Sequence, residues 1–379
     1  MNPAAFRDPA LARAIIDRIA RRRTGEVTIM EFCGGHTVAM LRAGIRDVLP
    51  AHVHMRSGPG CPVCVTSAAD LDRAAALAAC DRVTLTTYGD MLRVPGSHGS
   101  LADARARGCD VRTVYSTLDA LAIARAHPDR AVVFFAVGFE TTAPAAAAAV
   151  LAAEHEQLDN FFVASVMKDT IAGARALLST GDVRVDAVIG PGHVSTVIGA
   201  EAWRFLPDEY GIPVAISGFE PVDLLSSIDA LLVMRERGTP GLVNTYARVV
   251  RTDGNPRARA AVARVFEPCD ADWRGFGTLS ASGLRLRERY AAFDADRIFP
   301  TPPGDAREHP ACRCGDVLRG VIEPDDCRVF GTACTPETPL GPCMVSSEGS
   351  CAAHYTFRTR VARAAASPRS GGDPPAAGS

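Results

Sequence analysis

Hydrophobic and polar positions in the first two thirds of the chain follow two alternating patterns. Short runs rich in Val, Ile, Phe and Thr are typical of strands, whereas apolar residues at three- and four-residue spacing are typical of helices. On this basis we predict strands at 26–32, 53–56, 83–88, 131–137, 160–166, 185–189 and 213–216. We predict helices at 5–23, 68–79, 145–156, 171–178 and 222–235.

The order of these elements predicts the fold class. Strands that alternate with helices form parallel sheets, and strands that are apolar throughout lie in sheets covered on both faces. Because the pattern runs through two rounds, we predict an α/β protein with two similar parallel-sheet domains facing a shared cleft. We place these domains at residues 1–120 and 121–240.

After the second round the pattern weakens. We predict that residues 241–300 connect the domains and return to the first, with a polar, glycine-rich surface loop or cleft lining at 270–284. The Pro- and Gly-rich stretch 299–305 marks a boundary. A small cysteine-rich domain follows at 301–360, and low-complexity composition predicts a disordered tail at 361–379.

Glycine-rich loops follow several predicted strands, with the sequences CGGHT, YGD, GFETT, GPGH and GFEP. Ligands of open α/β sheets bind beyond the carboxyl ends of the strands. We therefore predict cleft positions for polar residues of these loops, which are Asp90, Arg93, Glu140, His193 and Glu220. An ordinary turn is the alternative for each loop. Glu140 also has the position of a helix cap, because it stands at a strand–helix turn.

Composition excludes several classes of protein. The 379 residues are 47% hydrophobic and 22% charged, which excludes a wholly disordered chain and a coiled coil. The net charge of −2 provides no field that would attract nucleic acid, so we predict no nucleic-acid partner. The apolar runs are shorter than the ~20 residues of a membrane helix, and the N-terminal segment has no signal-peptide core. We therefore predict a soluble, cytoplasmic protein without a membrane partner.

The twelve cysteines are unevenly placed. Three lie near the start of the chain and six lie between Cys312 and Cys351, while Cys80, Cys109 and Cys269 are isolated and typical of small core residues. In a cytosolic protein, clustered cysteines are more often metal-binding or catalytic than disulfide-bonded. The two clusters are therefore the candidate sites of chemistry.

The C-terminal cluster has the composition of a metal site. Cys312, Cys327, Cys334 and Cys351 are separated by 14, 6 and 16 residues, and two further thiols, Cys314 and Cys343, lie among them. Zinc sites usually use pairs of cysteines two to four residues apart, whereas a [4Fe-4S] cluster needs four thiolates from any direction. The spacing favours an iron–sulfur cluster, with zinc and disulfides as the alternatives.

The N-terminal cluster combines a thiol pair with a cysteine–histidine pair. Cys61 and Cys64 form a C-x-x-C motif, which permits a reversible disulfide or supplies two metal ligands. Cys33 stands three residues before His36, so the imidazole either joins the thiolate as an iron ligand or acts as its base. A chain with both an iron–sulfur cluster and a C-x-x-C pair would transfer electrons between them if the two are close in space.

The loop and cysteine motifs form one ordered set. They are FCGGHT (32–37), GPGCPVC (58–64), GDMLRVPGS (89–97), GFETTAP (138–144), GPGHVS (190–195), GFEP (218–221) and a tail containing CRCG and GPCMVSSEGSC. This set resembles the HypD family of hydrogenase maturation proteins, in the same order and over residues 25–356.

The resemblance implies a fold and a function. Members of the family have two similar α/β domains and a C-terminal [4Fe-4S] domain, and they take part in building the Fe(CN)₂CO group of [NiFe]-hydrogenases. This chain is then expected to be a scaffold and redox protein that works with a HypC-type chaperone and a HypE-type cyanide donor. The hydrogenase large-subunit precursor is expected as an indirect partner.

The resemblance also implies roles for the cysteines. The cluster motif of the family falls on Cys312, Cys327, Cys334 and Cys351, with Cys314 as a competing ligand.

At the N-terminal end, Cys33 corresponds to the cysteine that holds the iron of Fe(CN)₂CO together with a HypC cysteine, and Cys61 and Cys64 to the redox-active pair. The family usually reads CGGHTH, whereas Val38 replaces the second His here. Any imidazole role is therefore assigned to His36.

Two other functions would use the same residues. A stand-alone iron–sulfur thiol–disulfide oxidoreductase would turn over a disulfide substrate without any partner. A zinc-stabilised binding module would be colourless and contain zinc when purified.

Overall fold

The computed structural model describes residues 3–301 and 305–357, so the predicted disordered tail at 361–379 lies outside the described residues. The strands are β1 Val27–Glu31, β2 Val53–Ser57, β3 Val83–Thr87, β4 Asp110–Thr113, β5 Ala131–Ala136, β6 Phe161–Ser165, β7 Ala187–Pro191, β8 Val214–Ser217, β9 Leu242–Asn244, β10 Phe266–Trp273 and β11 Gly277–Leu286. The α-helices are α1 Pro9–Ala20, α2 Gly34–Arg42, α3 Ile45–Val48, α4 Pro62–Val65, α5 Ala68–Ala78, α6 Leu101–Ala106, α7 Thr117–Ala126, α8 Ala143–His155, α9 Thr170–Thr180, α10 Gly192–Ile198, α11 Phe205–Tyr210, α12 Pro221–Arg237, α13 Pro256–Val265, α14 Ala295–Ile298, α15 Cys314–Leu318 and α16 Pro342–Val345. Residues 350–357 are also helical. Short 3₁₀ helices occupy Pro3–Arg7, Gly89–Arg93, Glu201–Trp203, Glu288–Phe293 and Pro324–Asp326.

The first sheet is parallel, with the strand order β2-β1-β7-β8-β9. Its register pairs Val27 with Val53. The order reverses between β1 and β7, because the chain continues outward to β2 on one side and to β8 on the other. Ligand sites of open α/β sheets lie beyond the strand ends at such a reversal. Cys33 follows β1 directly before α2, and His193 lies at the start of α10, directly after β7.

The second sheet is also parallel, with the strand order β4-β3-β5-β6. Its register pairs Val83 with Ala131. The order reverses between β3 and β5, and the loops that follow these strands contain Asp90 and Glu140. The prediction of an α/β protein with two parallel-sheet domains is confirmed.

The carboxyl ends of the two sheets meet at one apolar cluster. Phe139 follows β5 of the second sheet, and Val194 lies in α10 after β7 of the first. Both belong to a buried cluster that also contains Trp273, Cys61 and Cys64. The strand ends of both domains therefore border the same region.

The strand pairing departs from the predicted domain boundaries. Strands β1 and β2 come from the segment that we predicted as domain I (1–120), but they pair with β7–β9 from predicted domain II (121–240). In the same way, β3 and β4 join β5 and β6 across residue 120. The first domain is thus discontinuous in sequence, and the second is inserted into it. The sequence pattern does not reveal this, because parallel strands are joined by crossovers and their order in the sheet is not fixed by their order in the chain.

Helices cover the sheets on both faces, as continuous apolar strands require. Helix α12 packs Leu224, Ile228 and Leu231 against the first sheet, and each such buried side chain stabilises the fold by about 2 kcal/mol. The helix ends at Gly238, whose φ of +63° is a conformation that glycine adopts without steric cost. Within 3–301 and 305–357, none of the helices combines the length and the apolar character that crossing a membrane requires.

The segment 270–284, which we predicted to be a surface loop or cleft lining, belongs instead to an antiparallel hairpin of β10 and β11. Along β10 the more exposed residues alternate with less exposed ones, and the strand ends at the buried Trp273. One face of a two-stranded ribbon lies in water and therefore carries polar residues. These residues give the segment a composition that is typical of a surface loop.

The C-terminal module, residues 305–357, contains short helices and little other regular structure. Ion pairs attach it to the first domain, because Glu323 pairs with Arg46 at 3.1 Å and with Arg56 at 2.6 Å. Arg46 lies in α3 and Arg56 in β2, so these pairs fix the module beside the outer strand of the first sheet.

We expect Gly275→Ala to weaken the contact between the hairpin and the C-terminal module. Gly275 has φ +83°, and an added Cβ would lie 2.6 Å from the Cα of Gly315 in α15. The left-handed conformation costs alanine about 1–2 kcal/mol, and the overlap adds about 1–3 kcal/mol. Gly277→Ala is the matched control, because Gly277 has φ +74° but an added Cβ meets nothing within 4 Å. Urea denaturation of both variants measures the loss of unfolding free energy. Equal losses in Gly275→Ala and Gly277→Ala would show that the contact between Gly275 and Gly315 does not contribute.

Candidate functional site

Cys33 lies directly before α2 and is 7% exposed. The predicted loop CGGHT is therefore the start of a helix. Glycines allow two other segments to approach this turn closely. A Cβ added to Gly34 would overlap the carbonyl oxygen of Glu348, and a Cβ added to Gly60 would overlap the backbone of Cys33. The C-x-x-C loop and the MVSSEG segment thus both pack against the turn that carries Cys33.

Glu31 is a buried carboxyl group at the end of β1, two residues before Cys33. Its Oε2 accepts a hydrogen bond from the Cys33 backbone N–H at 3.1 Å, and its Oε1 accepts one from the Thr37 hydroxyl. Burial raises the pKa of Glu31 to about 7, although the hydrogen bond from Thr37 and the charge of Arg46 favour the ionised form. The carboxyl therefore fixes the backbone of the turn from inside the domain.

The thiol of Cys33 is protonated in the metal-free chain at neutral pH. Burial, followed by the negative charges of Glu348 and Glu31, raises its pKa to about 12. The backbone N–H groups of His36 and Gly35 at the start of α2 act in the opposite direction. A metal cation at this thiol would displace the proton, because metals bind the thiolate.

His36 is fully buried on the first turn of α2. Its Nε2 lies 3.3 Å from the carbonyl oxygen of Ser217, which can only accept a hydrogen bond, so Nε2 carries the proton. Its Nδ1 consequently has a free lone pair, and this atom is buried without a hydrogen-bond partner among the described residues. Burial lowers the pKa of His36 to about 3, so the ring is neutral and available as a ligand or base.

Phe219 connects His36 with His193. The ring of His193 stacks on Phe219, and the two ring centroids are 4.0 Å apart. The ring centroids of His36 and Phe219 are 4.6 Å apart. An added Cβ at Gly35 would lie 3.0 Å from Phe219, so the phenyl ring also covers the turn after Cys33. The predicted residues His36 and His193 thus share one aromatic neighbour.

The C-x-x-C pair lies at the short helix α4, with Cys61 as its N-cap and Cys64 within it. The Cys64 backbone N–H donates a hydrogen bond to Cys61 Sγ at 3.3 Å, and both residues are buried. Helix α4 contacts α15 and α16 of the C-terminal module. The pair is therefore enclosed between the first domain and the C-terminal module.

The four cysteines predicted to bind a cluster line one small cavity, of about 20 Å³, in the C-terminal module. They are Cys312, Cys327, Cys334 and Cys351, and Cys314 and Cys343 line the same cavity. In residues 3–301 and 305–357, no group of three or more His, Cys, Asp or Glu side chains is placed to hold a single metal ion. Thiols are donors that both zinc and iron–sulfur clusters use.

A chain of thiol contacts joins this cavity to the C-x-x-C pair. Cys314 Sγ donates a hydrogen bond to Cys343 Sγ at 2.8 Å. Cys343 also lies in one buried cluster with Cys64, and Cys351 packs against that cluster. Burial raises the pKa of Cys64 well above its ordinary value. The two cysteine clusters of the sequence therefore meet in space.

Two of the predicted cleft residues hold helix ends. Glu140 accepts hydrogen bonds from the backbone N–H and the hydroxyl of Thr170, at 2.9 and 2.6 Å. It thus occupies a capping position at the start of α9. Glu220 precedes α12 and pairs with Arg7 at 2.6 Å, at an exposed position.

The other two cleft residues face the C-terminal module. Arg93 donates a hydrogen bond to the carbonyl oxygen of Pro336. Burial and then the negative charge of Asp90 raise the pKa of Glu348, which packs against the Cys33 turn. The loop after β3 is thus brought to the same region as Cys33.

Three residues of the site are not singled out by the sequence: Glu31, Phe219 and Arg274. Glu31 has a usable signal, since it is an acidic residue at the end of an otherwise apolar strand. Phe219 stands in the GFEP motif, where only the carboxylate attracts attention. Arg274 has no local signal, because it lies in a segment whose composition is that of a surface loop.

These observations define a class of protein. It is a two-domain α/β protein with a buried Cys–His turn at a strand-order reversal, next to a C-x-x-C pair and a cysteine-lined cavity in a C-terminal module.

Comparisons with known proteins assign the family. A family model described as "HypD: Hydrogenase formation hypA family" matches residues 10–358. The chain is 48% identical over 362 residues to the hydrogenase maturation factor HypD of Rhizobium leguminosarum bv. viciae, covering 93% of this chain and 94% of that protein. It is 47% identical over 361 residues to HypD of Azotobacter vinelandii (93% and 95%) and 41% identical over 369 residues to HypD of Escherichia coli K12 (95% and 98%). The chain belongs to the HypD family.

We expect the stability of the protein to depend on pH through Glu140. Burial, followed by the charge of Asp169, raises the pKa of Glu140 from 4.5 to about 7. The unfolded chain releases this proton at lower pH than the folded chain does, so the contribution to stability is fully present below about pH 4.5 and is lost as the pH rises to about 7. The loss is at most about 3 kcal/mol.

Glu140→Gln keeps groups that can contact Thr170 but cannot ionise. The free energy of unfolding in urea should therefore fall less between pH 5 and pH 8 in this variant than in the wild type, by roughly 1–3 kcal/mol. The same pH dependence in both proteins would show that Glu140 does not titrate as described.

Proposed function

We propose that this chain is a scaffold and redox protein for assembly of the Fe(CN)₂CO group of the [NiFe]-hydrogenase active site. The observation that carries the proposal is the convergence of the Cys33 turn, the C-x-x-C pair and the C-terminal cysteines in one buried region. Membership of a family whose relatives are named hydrogenase maturation factors supports the setting.

Cys33 is the residue that we assign to the iron of the cargo. Low-spin iron with CO and cyanide ligands favours soft thiolate donors in a sheltered pocket, and the buried Cys33 offers both. The Nδ1 atom of His36 is a further donor on the same turn of helix, because its lone pair is free.

The cavity of the C-terminal module is the site that we assign to a [4Fe-4S] cluster, with Cys312, Cys327, Cys334 and Cys351 as its ligands. Cys314 is buried and already hydrogen-bonded to Cys343, which leaves Cys312 as the more accessible of the two neighbouring thiols. A bound cluster would supply electrons one at a time.

Thiol–disulfide exchange among the chain's own cysteines is the contribution of the C-x-x-C pair. The Cys343 thiolate attacks the Cys64 sulfur of a Cys61–Cys64 disulfide, and Cys61 leaves as a thiolate that takes up a proton. The Cys314 thiolate then attacks Cys343 and releases Cys64. One disulfide breaks and another forms, so two electrons pass from the Cys314–Cys343 pair to the C-x-x-C pair beside the Cys33 turn. The hydrogen bond between Cys314 and Cys343, and the place of Cys343 in one buried cluster with Cys64, support this order.

The partners follow from the chemistry and from the family. A HypC-type chaperone would bring a second thiolate to the iron on Cys33, and a HypE-type protein would donate cyanide. The completed group would reach the hydrogenase large-subunit precursor through the chaperone, so the precursor is an indirect partner.

One other function is favoured by the same thiol contacts. A relay that lies entirely within one chain would also serve a stand-alone iron–sulfur thiol–disulfide oxidoreductase. Turnover of a disulfide substrate by the purified protein, without a HypC-type partner, would favour that function.

The test is anaerobic purification of the chain, co-expressed with a HypC-type partner, followed by iron and sulfide analysis and infrared spectroscopy. We expect about four irons and four sulfides per chain for the cluster, and CO and cyanide stretches for the cargo. A colourless protein containing zinc would overturn both functions. A cluster without CO or cyanide stretches in the co-expressed complex would favour the oxidoreductase.

We expect Cys33→Ala to abolish the CO and cyanide infrared bands while leaving the visible absorbance of the cluster unchanged, because Cys33 is not among the cysteines that line the cavity. Cys80→Ala is the control, since Cys80 is an isolated and partly buried cysteine that should leave both signals intact. Loss of the cluster absorbance in Cys33→Ala alone would contradict the division between the two sites.

A further inference from the structure

A buried arginine connects the C-x-x-C helix with the hairpin. Arg274 lies just after β10, at the turn of the hairpin, and its side chain is 3% exposed. Its backbone N–H donates a hydrogen bond to the carbonyl oxygen of Val65 at 2.9 Å, and its Nε donates one to the carbonyl oxygen of Thr66 at 3.1 Å. These bonds hold the guanidinium against the end of α4, which carries Cys64.

The same turn touches the C-terminal module beside its cysteines. Gly275 approaches Gly315 so closely that an added Cβ would lie 2.6 Å from the Gly315 Cα, and Gly315 directly follows Cys314. Trp273, the residue before Arg274, packs in the same buried cluster as Cys314 and Cys343. The turn that carries Arg274 therefore contacts both α4 and the wall of the cysteine-lined cavity.

The hydrogen-bonding capacity of this guanidinium is incompletely used. Nη1 pairs with Glu308 at 3.0 Å, but the side chain of Glu308 is 42% exposed, so water screens that pair. Nη2 is buried and has no hydrogen-bond partner in the part of the chain that the structure describes. An unpartnered buried donor is costly and uncommon in native proteins, so its retention calls for an explanation.

We propose that Arg274 is a positioning residue that raises the reduction potential of the cysteine site in the C-terminal module. Reduction adds one electron and therefore one negative charge to that site, with no bond made or broken, and a nearby buried cation with a free N–H donor stabilises the added charge. The inference rests on the proposed function, in which the cavity holds a [4Fe-4S] cluster. The potentials of such clusters depend on local charge and on hydrogen bonds to their sulfurs.

The position of Arg274 gives this effect a direction within the molecule. Arg274 lies on the hairpin turn that packs against α15 directly after Cys314, and its side chain is hydrogen-bonded to Thr66 at the end of α4. Negative charge is therefore stabilised at the side of the cavity that faces the C-x-x-C pair.

The experiment is an anaerobic redox titration of the full-length holoprotein, with the electron paramagnetic resonance of the reduced cluster as the readout and dithionite as the reductant. In Arg274→Met we expect the ratio of reduced to oxidised cluster at a fixed potential to fall about tenfold, which is about 59 mV for one electron. The methionine keeps much of the volume of the side chain but removes its charge and donors.

Arg313→Met is the matched control. Arg313 lines the cavity itself, but its side chain is 55% exposed and pairs with Asp316, so we expect a change of less than about twofold. Glu308→Gln should act in the opposite direction, because it removes the negative partner of Arg274 and leaves the guanidinium in place.

A cluster-containing Arg274→Met protein with an unchanged midpoint, or with the same shift as Arg313→Met, would overturn the inference. If Arg274→Met does not retain the cluster, Glu308→Gln carries the test, and an unchanged or lowered midpoint in that variant would overturn it. A wild-type protein without iron and sulfide would instead overturn the proposed function, which is a distinguishable result.

Discussion

The burial of the short helix α4 is the contact on which the rest of the site depends. Cys61 caps this helix and Cys64 lies within it. The helix is covered by the hairpin, by α15 and α16 of the C-terminal module, and by apolar residues that follow strands of both sheets. No single domain provides this environment. The thiols are therefore enclosed only when the two sheets, the hairpin and the C-terminal module are all in place, and the redox and metal chemistry that we propose is a property of the assembled chain.

Buried polar groups around the site compensate one another across segment boundaries. Glu31 accepts hydrogen bonds from the Cys33 turn, and the positive charge of Arg46 stabilises its ionised form. Arg46 also pairs with Glu323 of the C-terminal module. Arg274 is bonded to α4 and paired with Glu308. Each of these groups would be costly to bury alone, because an isolated charge in a low-dielectric interior loses its hydration. The arrangement thus makes the position of the C-terminal module depend on the same residues that hold the Cys33 turn.

The sequence predicts the local parts of this structure well and its long-range parts poorly. Apolar strands such as β1 and β5, and the turns that follow them, are predicted because periodicity and glycine-rich loops are local signals. Cys33, His36 and the cysteines of the cavity are recognised as candidates from residue type and spacing. The discontinuity of the first domain is not predicted, since strand order in a parallel sheet is decided by tertiary packing. The hairpin is missed because its exposed face is polar, and Arg274 because its significance lies in distant partners, Thr66 and the cavity cysteines.

The inserted second domain has a consequence for synthesis of the chain. Strands β1 and β2 end at Ser57, but the central partner β7 begins at Ala187, so about 130 residues are made between them. At roughly 5–20 residues per second, the first sheet stays incomplete for on the order of ten seconds after its first two strands emerge. During that interval Cys33, Cys61 and Cys64 belong to a segment whose sheet, hairpin and C-terminal cover do not yet exist. The nascent chain therefore exposes three thiols that the finished protein buries, so the iron loading that we propose for a sheltered Cys33 would follow translation.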